Sequence, residues 1–176
     1  GEIIEVPEDL PQLIAYHNIL KHIENIEALA APFHFEKSMG IVVGEHQGAH
    51  FYTVGQRKGL NIGGRPNPSF VVQIDTENNL VFSGQNDSHK ALNRQTLKID
   101  KETIKYCNLN NRIKEGDTLE FDFRIRYRQP LQKGVLINKE GELYVLFDKL
   151  QRGITPGQFC AWYLKNELIG SGVIAH

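Results

Sequence analysis

From Gly40 to the C-terminus the chain reads as short runs of alternating apolar and polar residues, divided every few positions by Gly, Asn or Asp. Alternation with a period of two puts successive side chains on opposite faces of a strand. The pattern predicts strands over 40–43, 50–55, 70–75, 80–83, 96–99, 118–127, 133–138, 143–147, 158–163 and 168–174, with a further strand over 1–6. Glu77-Asn78-Asn79, Glu115-Gly116-Asp117 and Lys139-Glu140-Gly141-Glu142 sit between such runs with the residue types that tight turns need. Many short, evenly spaced strands bury their apolar faces most simply by closing into a small barrel, which also removes exposed sheet edges.

Residues 7–39 interrupt this pattern. Pro7-Glu8-Asp9-Leu10-Pro11 has an Asp cap, acids and Pro suited to a helix start. Leu10, Leu13, Ile14, Ile19, Leu20, Ile23, Ile26 and Leu29 then recur near the helical period, predicting one long helix or two short ones ending before Pro32. His17 and His22 lie five apart, so they point in different directions and read as ordinary boundary histidines. The polar stretch 84–92 marks the expected boundary between a central domain, 1–88, and a second domain, 89–176. The expected fold is mainly β: a small β-rich central domain with a helical insertion at about 7–39, then a C-terminal antiparallel β-barrel. Gly1 in place of Met, and a start within a strand-like run, lead us to expect a piece of a longer protein.

The net charge of −1 conceals an uneven distribution. Residues 1–90 carry 6 Lys+Arg against 11 Asp+Glu, whereas residues 91–176 carry 14 against 10. The second half can therefore face an anionic partner. No apolar run reaches the roughly 18–20 residues that span a bilayer, and no basic-then-apolar leader opens the chain. Cys107 and Cys160 lack CxxC spacing, and neither has a neighbour that would stabilise a thiolate, so both read as unpaired thiols of a cytoplasmic protein. No metal-ligand spacing occurs; His46 and His50 are four apart but separated by glycine.

Three segments carry chemistry. The first, 44–64, holds six glycines and the triplet Gln56-Arg57-Lys58. Glycines let backbone amides approach an anion, and the triplet suits a phosphate or a base edge. A tight hairpin with solvated charges would use the same residues. Neither GxxxxGK[ST] nor GxGxxG is present. In the second, alternation places Arg124, Arg126 and Arg128 on one strand face, with Phe123, Ile125 and Tyr127 on the other. Planar guanidiniums pair well with phosphate, although carboxylates on neighbouring strands would serve them too. In the third, 151–163, Thr155-Pro156-Gly157 forms a sharp turn that presents Gln158 at the start of a strand whose Cys160 and Trp162 alternate with Phe159 and Ala161.

Together these segments resemble the tRNA-specific 2-thiouridylases, which place sulfur at C2 of the wobble uridine. The matching stretches are Gly44-Glu45-His46, Phe51 to Leu60 with Ile62-Gly63-Gly64, Arg126-Tyr127-Arg128-Gln129, Thr155-Pro156-Gly157-Gln158 with Tyr163, and Gly170 to Ile174. They fall in the family's order, while 7–39 looks like an insertion. The resemblance implies a chain that holds tRNA through Arg126, Tyr127 and Gln158. Arg124, Arg128, Gln56, Arg57 and Lys58 are further candidates. It implies no catalytic residue here: ATP and magnesium, the SGGxDS loop and the two catalytic cysteines belong to a domain N-terminal to this sequence, served by a sulfur-donating protein. The sequence departs from the family at Ser69, where an aromatic is common, and at Phe159-Cys160, which replace smaller residues beside Gln158. A stand-alone β-barrel module of the translation-factor kind, binding protein in place of RNA, is the competing reading, and a small hydrolase a third.

Overall fold

A computed structural model of the chain describes residues 1–21 and 24–176. The readings that fall on His22 and Ile23 lie outside the described residues. The chain divides into two compact units, one from residues 1–21 and 33–94, the other from 24–32 and 95–176.

The first unit is a four-stranded sheet. β1 (Glu2–Glu5) pairs antiparallel with β2 (Ile41–Glu45) and parallel with β4 (Leu80–Gln85), and β4 forms a hairpin with β3 (Ser69–Asp75). Ile3 and Ile4 of β1 are both fully buried on opposite faces of the sheet. At the β3–β4 turn the Asp75 carboxylate accepts the Asn78 backbone N–H at 2.9 Å, and Asn79 takes the left-handed conformation that Asn tolerates.

Two helices occupy the insertion, α1 (Pro11–Leu20) and α2 (Ile26–Ala30). The expected Asp cap is not used: Leu10 is the N-cap, without a side-chain bond, and Pro11 opens the helix. Proline favours the first helical position because its missing N–H has no intrahelical partner there, and the shift buries Leu10 beside Leu13 against Phe70, Val72 and Phe82. α2 has a true cap, the Asn25 side chain accepting the Glu27 N–H at 3.0 Å. Its Ile26 and Ala30 pack on Tyr144 in the second unit, and Glu27 pairs with Lys139 there at 2.9 Å. The insertion is thus shared between the units rather than belonging to the first alone.

The second unit holds β5 (Asn93–Ile99, which begins at the end of the first unit), β6 (Lys105–Tyr106), β7 (Thr118–Arg124), β8 (Gln132–Lys139), β9 (Glu142–Arg152), β10 (Phe159–Leu164) and β11 (Glu167–Val173). Their order is β5-β9-β8-β7-β10-β11-β6. The edge strand β5 returns to the far side: Ile99 bridges Ile174, Asp100 donates to the Val173 carbonyl at 2.8 Å, and Ala175 donates to that of Lys98 at 2.9 Å. The sheet therefore curls onto itself around a core of Phe123, Phe147, Trp162, Leu97, Leu136 and Cys160. Gly170 is required beside the Trp162 ring, where a Cβ would stand 2.5 Å from a ring carbon.

Two expected strands change. Residues 50–55 form no strand; Ala49–Phe51 is a 3-10 turn, and Gly55 has φ +86°. The strand expected over 118–127 stops at Arg124, because the Gln129 side-chain oxygen accepts the Ile125 N–H at 3.2 Å and takes it out of the ladder. The two-residue strand β6 was too short to leave an alternating signature.

Candidate nucleic-acid interface

At the end of β7 the chain turns back over residues 125–129. Phe123 and Ile125 point into the core, as alternation requires, and Arg124 lies on the outer face. Beyond Ile125 alternation no longer applies. Tyr127, which strict alternation would bury, is 91% exposed. Arg126 and Arg128 are exposed on the same turn, off the strand where alternation had placed them.

This turn is held from inside. The Arg124 Nε donates to the Gln129 carbonyl at 3.0 Å, and its guanidinium lies 5.6 Å from the Tyr163 ring centroid. Gln129 Nε2 donates to Gln151 Oε1 at 2.9 Å, and Gln151 Nε2 donates to Gln132 Oε1 at 3.2 Å and to the Lys149 carbonyl at 3.1 Å. Gln151 is buried, so its amide has exchanged water for these partners.

A single carbonyl joins the second and third sequence segments. Arg126 Nη2 and Thr155 Oγ1 both donate to the Gly153 oxygen, at 3.0 and 2.9 Å. From Thr155 the turn continues through Gly157, φ +87°, to Gln158, whose N–H donates to the Thr155 carbonyl at 3.2 Å. The Gln158 backbone is fixed by the Ile174 N–H at 2.8 Å, and its side chain makes no hydrogen bond among the described residues. Arg126, Tyr127, Arg128 and Gln158 thus belong to two turns tied at one point. Partial burial of its guanidinium against the Gly153 carbonyl, and then the charge of Arg152, pull Arg126 below the ordinary arginine value. A phosphate beside this pair would relieve that repulsion. None of Arg124, Arg126 and Arg128 forms an ion pair with a carboxylate among the described residues.

The first unit carries the other candidates. Both ends of the Gln56 amide close its own loop, Oε1 accepting the Thr53 N–H at 3.0 Å and Nε2 donating to the Lys58 carbonyl at 2.8 Å. Arg57 and Lys58 are left exposed. Arg57 borders an open polar cleft of about 470 Å³ with Asn61, Arg65, Asn67 and Ser69. Arg65 is already paired with Glu5 at 3.1 Å. His46 is buried against the edge of Tyr52 and His50 is not, so these two form no ligand pair, and no cluster of metal-binding side chains occurs among the described residues.

Sequence comparison agrees with this architecture. Residues 30–85 match the tRNA methyl transferase PRC-barrel domain model, and residues 97–174 match the aminomethyltransferase beta-barrel domain model. Over 99% of its length the chain is 40% identical to a tRNA-specific 2-thiouridylase MnmA from Flavobacterium johnsoniae and 42% identical to one from Christiangramia forsetii. The chain belongs with the tRNA-specific 2-thiouridylases. It spans about 45% of the length of these two relatives. Another tRNA-specific 2-thiouridylase MnmA, from Karelsulcia muelleri, is 41% identical over 80% of the chain.

The third sequence segment begins at Gln151 and includes Gly153, but the sequence assigns neither a role. Gln129, Gln132 and Gln151 meet only because the β8–β9 hairpin folds back, and no local spacing encodes that.

Proposed function

We propose that this chain is the tRNA-holding part of a 2-thiouridylase, and that Arg126, Tyr127, Arg128 and Gln158 form its principal contact in the second unit. The observation that carries this reading is the 125–129 turn. It presents two exposed arginines and an exposed tyrosine on a scaffold of glutamine hydrogen bonds centred on the buried Gln151, joined to the Gln158 turn through the Gly153 carbonyl. Guanidiniums suit phosphate, an exposed aromatic suits an unpaired base, and an unengaged amide suits a base edge or a 2′-hydroxyl. On the first unit Arg57 and Lys58 offer a second cationic contact, with Gln56 shaping their loop.

On this reading the thiolation chemistry, with its ATP, magnesium and sulfur-donating protein, belongs to sequence outside this chain, and the assembled enzyme works in the cytoplasm. Two features support that division. The glycine-rich segment 44–64 leads from β2 to β3 with no α-helix on whose N-terminus a nucleotide phosphate would rest. Burial pushes the Cys160 thiol up to about 12, so at neutral pH it offers almost no thiolate. Calorimetric titration of the chain with ATP and magnesium should show no saturable heat. Micromolar binding, about −8 kcal/mol, would place a nucleotide site here and overturn the division of labour.

A further inference from the structure

Beside Gln158 stands an aromatic side chain that makes no ring contact among the described residues. Phe159 is 67% exposed at the start of β10, where Cys160 and Trp162 turn inward and are fully buried. Its outward neighbours are Ala161 and Tyr163 on the same strand. Ala161 pairs with Arg124 of β7. Arg124 is the last residue of β7, and from that pair β7 runs on into the turn bearing Arg126 and Tyr127 while β10 runs back through Cys160 to Phe159. On its other side Phe159 pairs with Val173 of β11. The outer face thus carries Phe159, Ala161 and Tyr163 in a row, with Arg124 over the Tyr163 ring. The nearby carboxylate, Asp122, is engaged by Lys133 at 3.2 Å.

We infer that Phe159 is a base-stacking residue, which together with Tyr127 receives an unpaired nucleotide of the bound RNA while Arg126 and Arg128 hold the adjoining phosphates. The inference rests on the proposed tRNA-holding role and adds to it a residue that the family resemblance does not supply, since Phe159 departs from the smaller residue expected there. A ring 67% exposed keeps most of its apolar surface available to a partner. Among arginines with no carboxylate partner it suits a nucleobase better than an apolar protein surface, because a base stacks on the ring while its phosphate meets the guanidinium. Stacking needs no particular base, so the contribution is to affinity for unpaired RNA and not to sequence.

The test is binding of tRNA by the 176-residue chain, compared among wild type, Phe159→Ala, Phe159→Trp and Arg126→Ala, with a fully paired RNA duplex as the second ligand. A stacked base contributes about 1–3 kcal/mol, which at 1.36 kcal/mol per tenfold is a loss of about 5- to 150-fold in tRNA affinity for Phe159→Ala. Duplex affinity should change little, and the salt dependence should stay that of wild type because no charge is removed. Phe159→Trp should restore tRNA affinity, and its exposed indole, unlike the buried Trp162, should lose emission when tRNA binds. If Arg126→Ala weakens tRNA binding while Phe159→Ala does not, the stacking role is wrong and the tRNA-holding role stands. If wild type does not bind tRNA at all, both fall.

Discussion

Replacing Gln151 with Leu strands the Gln129 amide and the Gln132 oxygen, which this side chain satisfies from inside the second unit. These groups are half-buried, so leaving them unpaired should cost at most about 1–3 kcal/mol, and Gln151→Leu should lower the urea midpoint accordingly. It should also weaken tRNA binding, because the turn that carries Arg126 and Tyr127 loses its anchor. An unchanged midpoint would mean that the glutamine chain does not hold the turn. At this scale the sequence is legible where local chemistry decides the outcome. Gly157 and Asn79 take the positive φ that their turns require, and Phe123, Cys160 and Trp162 alternate into the core. It is illegible where a distant residue decides: Ile125 leaves its ladder because Gln129 reaches back, and Tyr127 escapes burial for that reason. Alternation and family resemblance disagreed over Tyr127. Its exposure is what the resemblance required, although its contact with RNA is still a proposal.

The two helices of the insertion separate by what they bury. Leu13 on α1 is fully buried among Phe70, Val72 and Phe82, whereas Ile19, from the same apolar stripe, is 56% exposed. Leu13→Ala should therefore cost about 2–5 kcal/mol in urea unfolding, and Ile19→Asp should stay within about 0.5 kcal/mol. Equal effects from the two would mean that α1 packs differently. The helical period is readable and allows one long helix or two short ones; that the chain forms two, and where it breaks, is not. A single apolar stripe looks the same whether one core buries it or two cores divide it, and only tertiary packing sends Ile26 to Tyr144 and Leu13 to Phe82. Strand positions were readable wherever turn residues bracketed them. The 50–55 run failed because aromatic and β-branched residues mimicked a strand inside a loop that Gln56 closes.

Over the whole molecule, the histidines that the fold shifts lie in the first unit and the arginine turn in the second. His17, His46 and His89, all in the first unit, are each held below the ordinary histidine value, with burial as the largest cause. At His89 the geometry shows why: Nδ1 accepts the Ala91 N–H at 3.2 Å, so Nε2 carries the proton and faces the Val6 carbonyl at 3.3 Å, and a second proton would set two N–H groups against each other. Because these pKa values are lowered on folding, the unfolded chain takes protons first as pH falls. Their stabilisation is complete above about pH 6.5 and is lost as pH drops through the folded values. Melting temperature should therefore fall between about pH 7 and 5, and His89→Gln should flatten the fall. A wild-type melting temperature constant over that range would contradict it. Salt acts on the arginine turn of the second unit, where the charge surplus of residues 91–176 lies. The most direct measurement is tRNA affinity across a salt series for wild type, Arg126→Ala and Gln158→Ala. Wild-type affinity should fall steeply with salt as phosphate contacts are screened. Arg126→Ala should reduce that slope by about one unit, and Gln158→Ala should weaken binding without altering it. If both variants bind like wild type at every salt concentration, these turns do not hold tRNA.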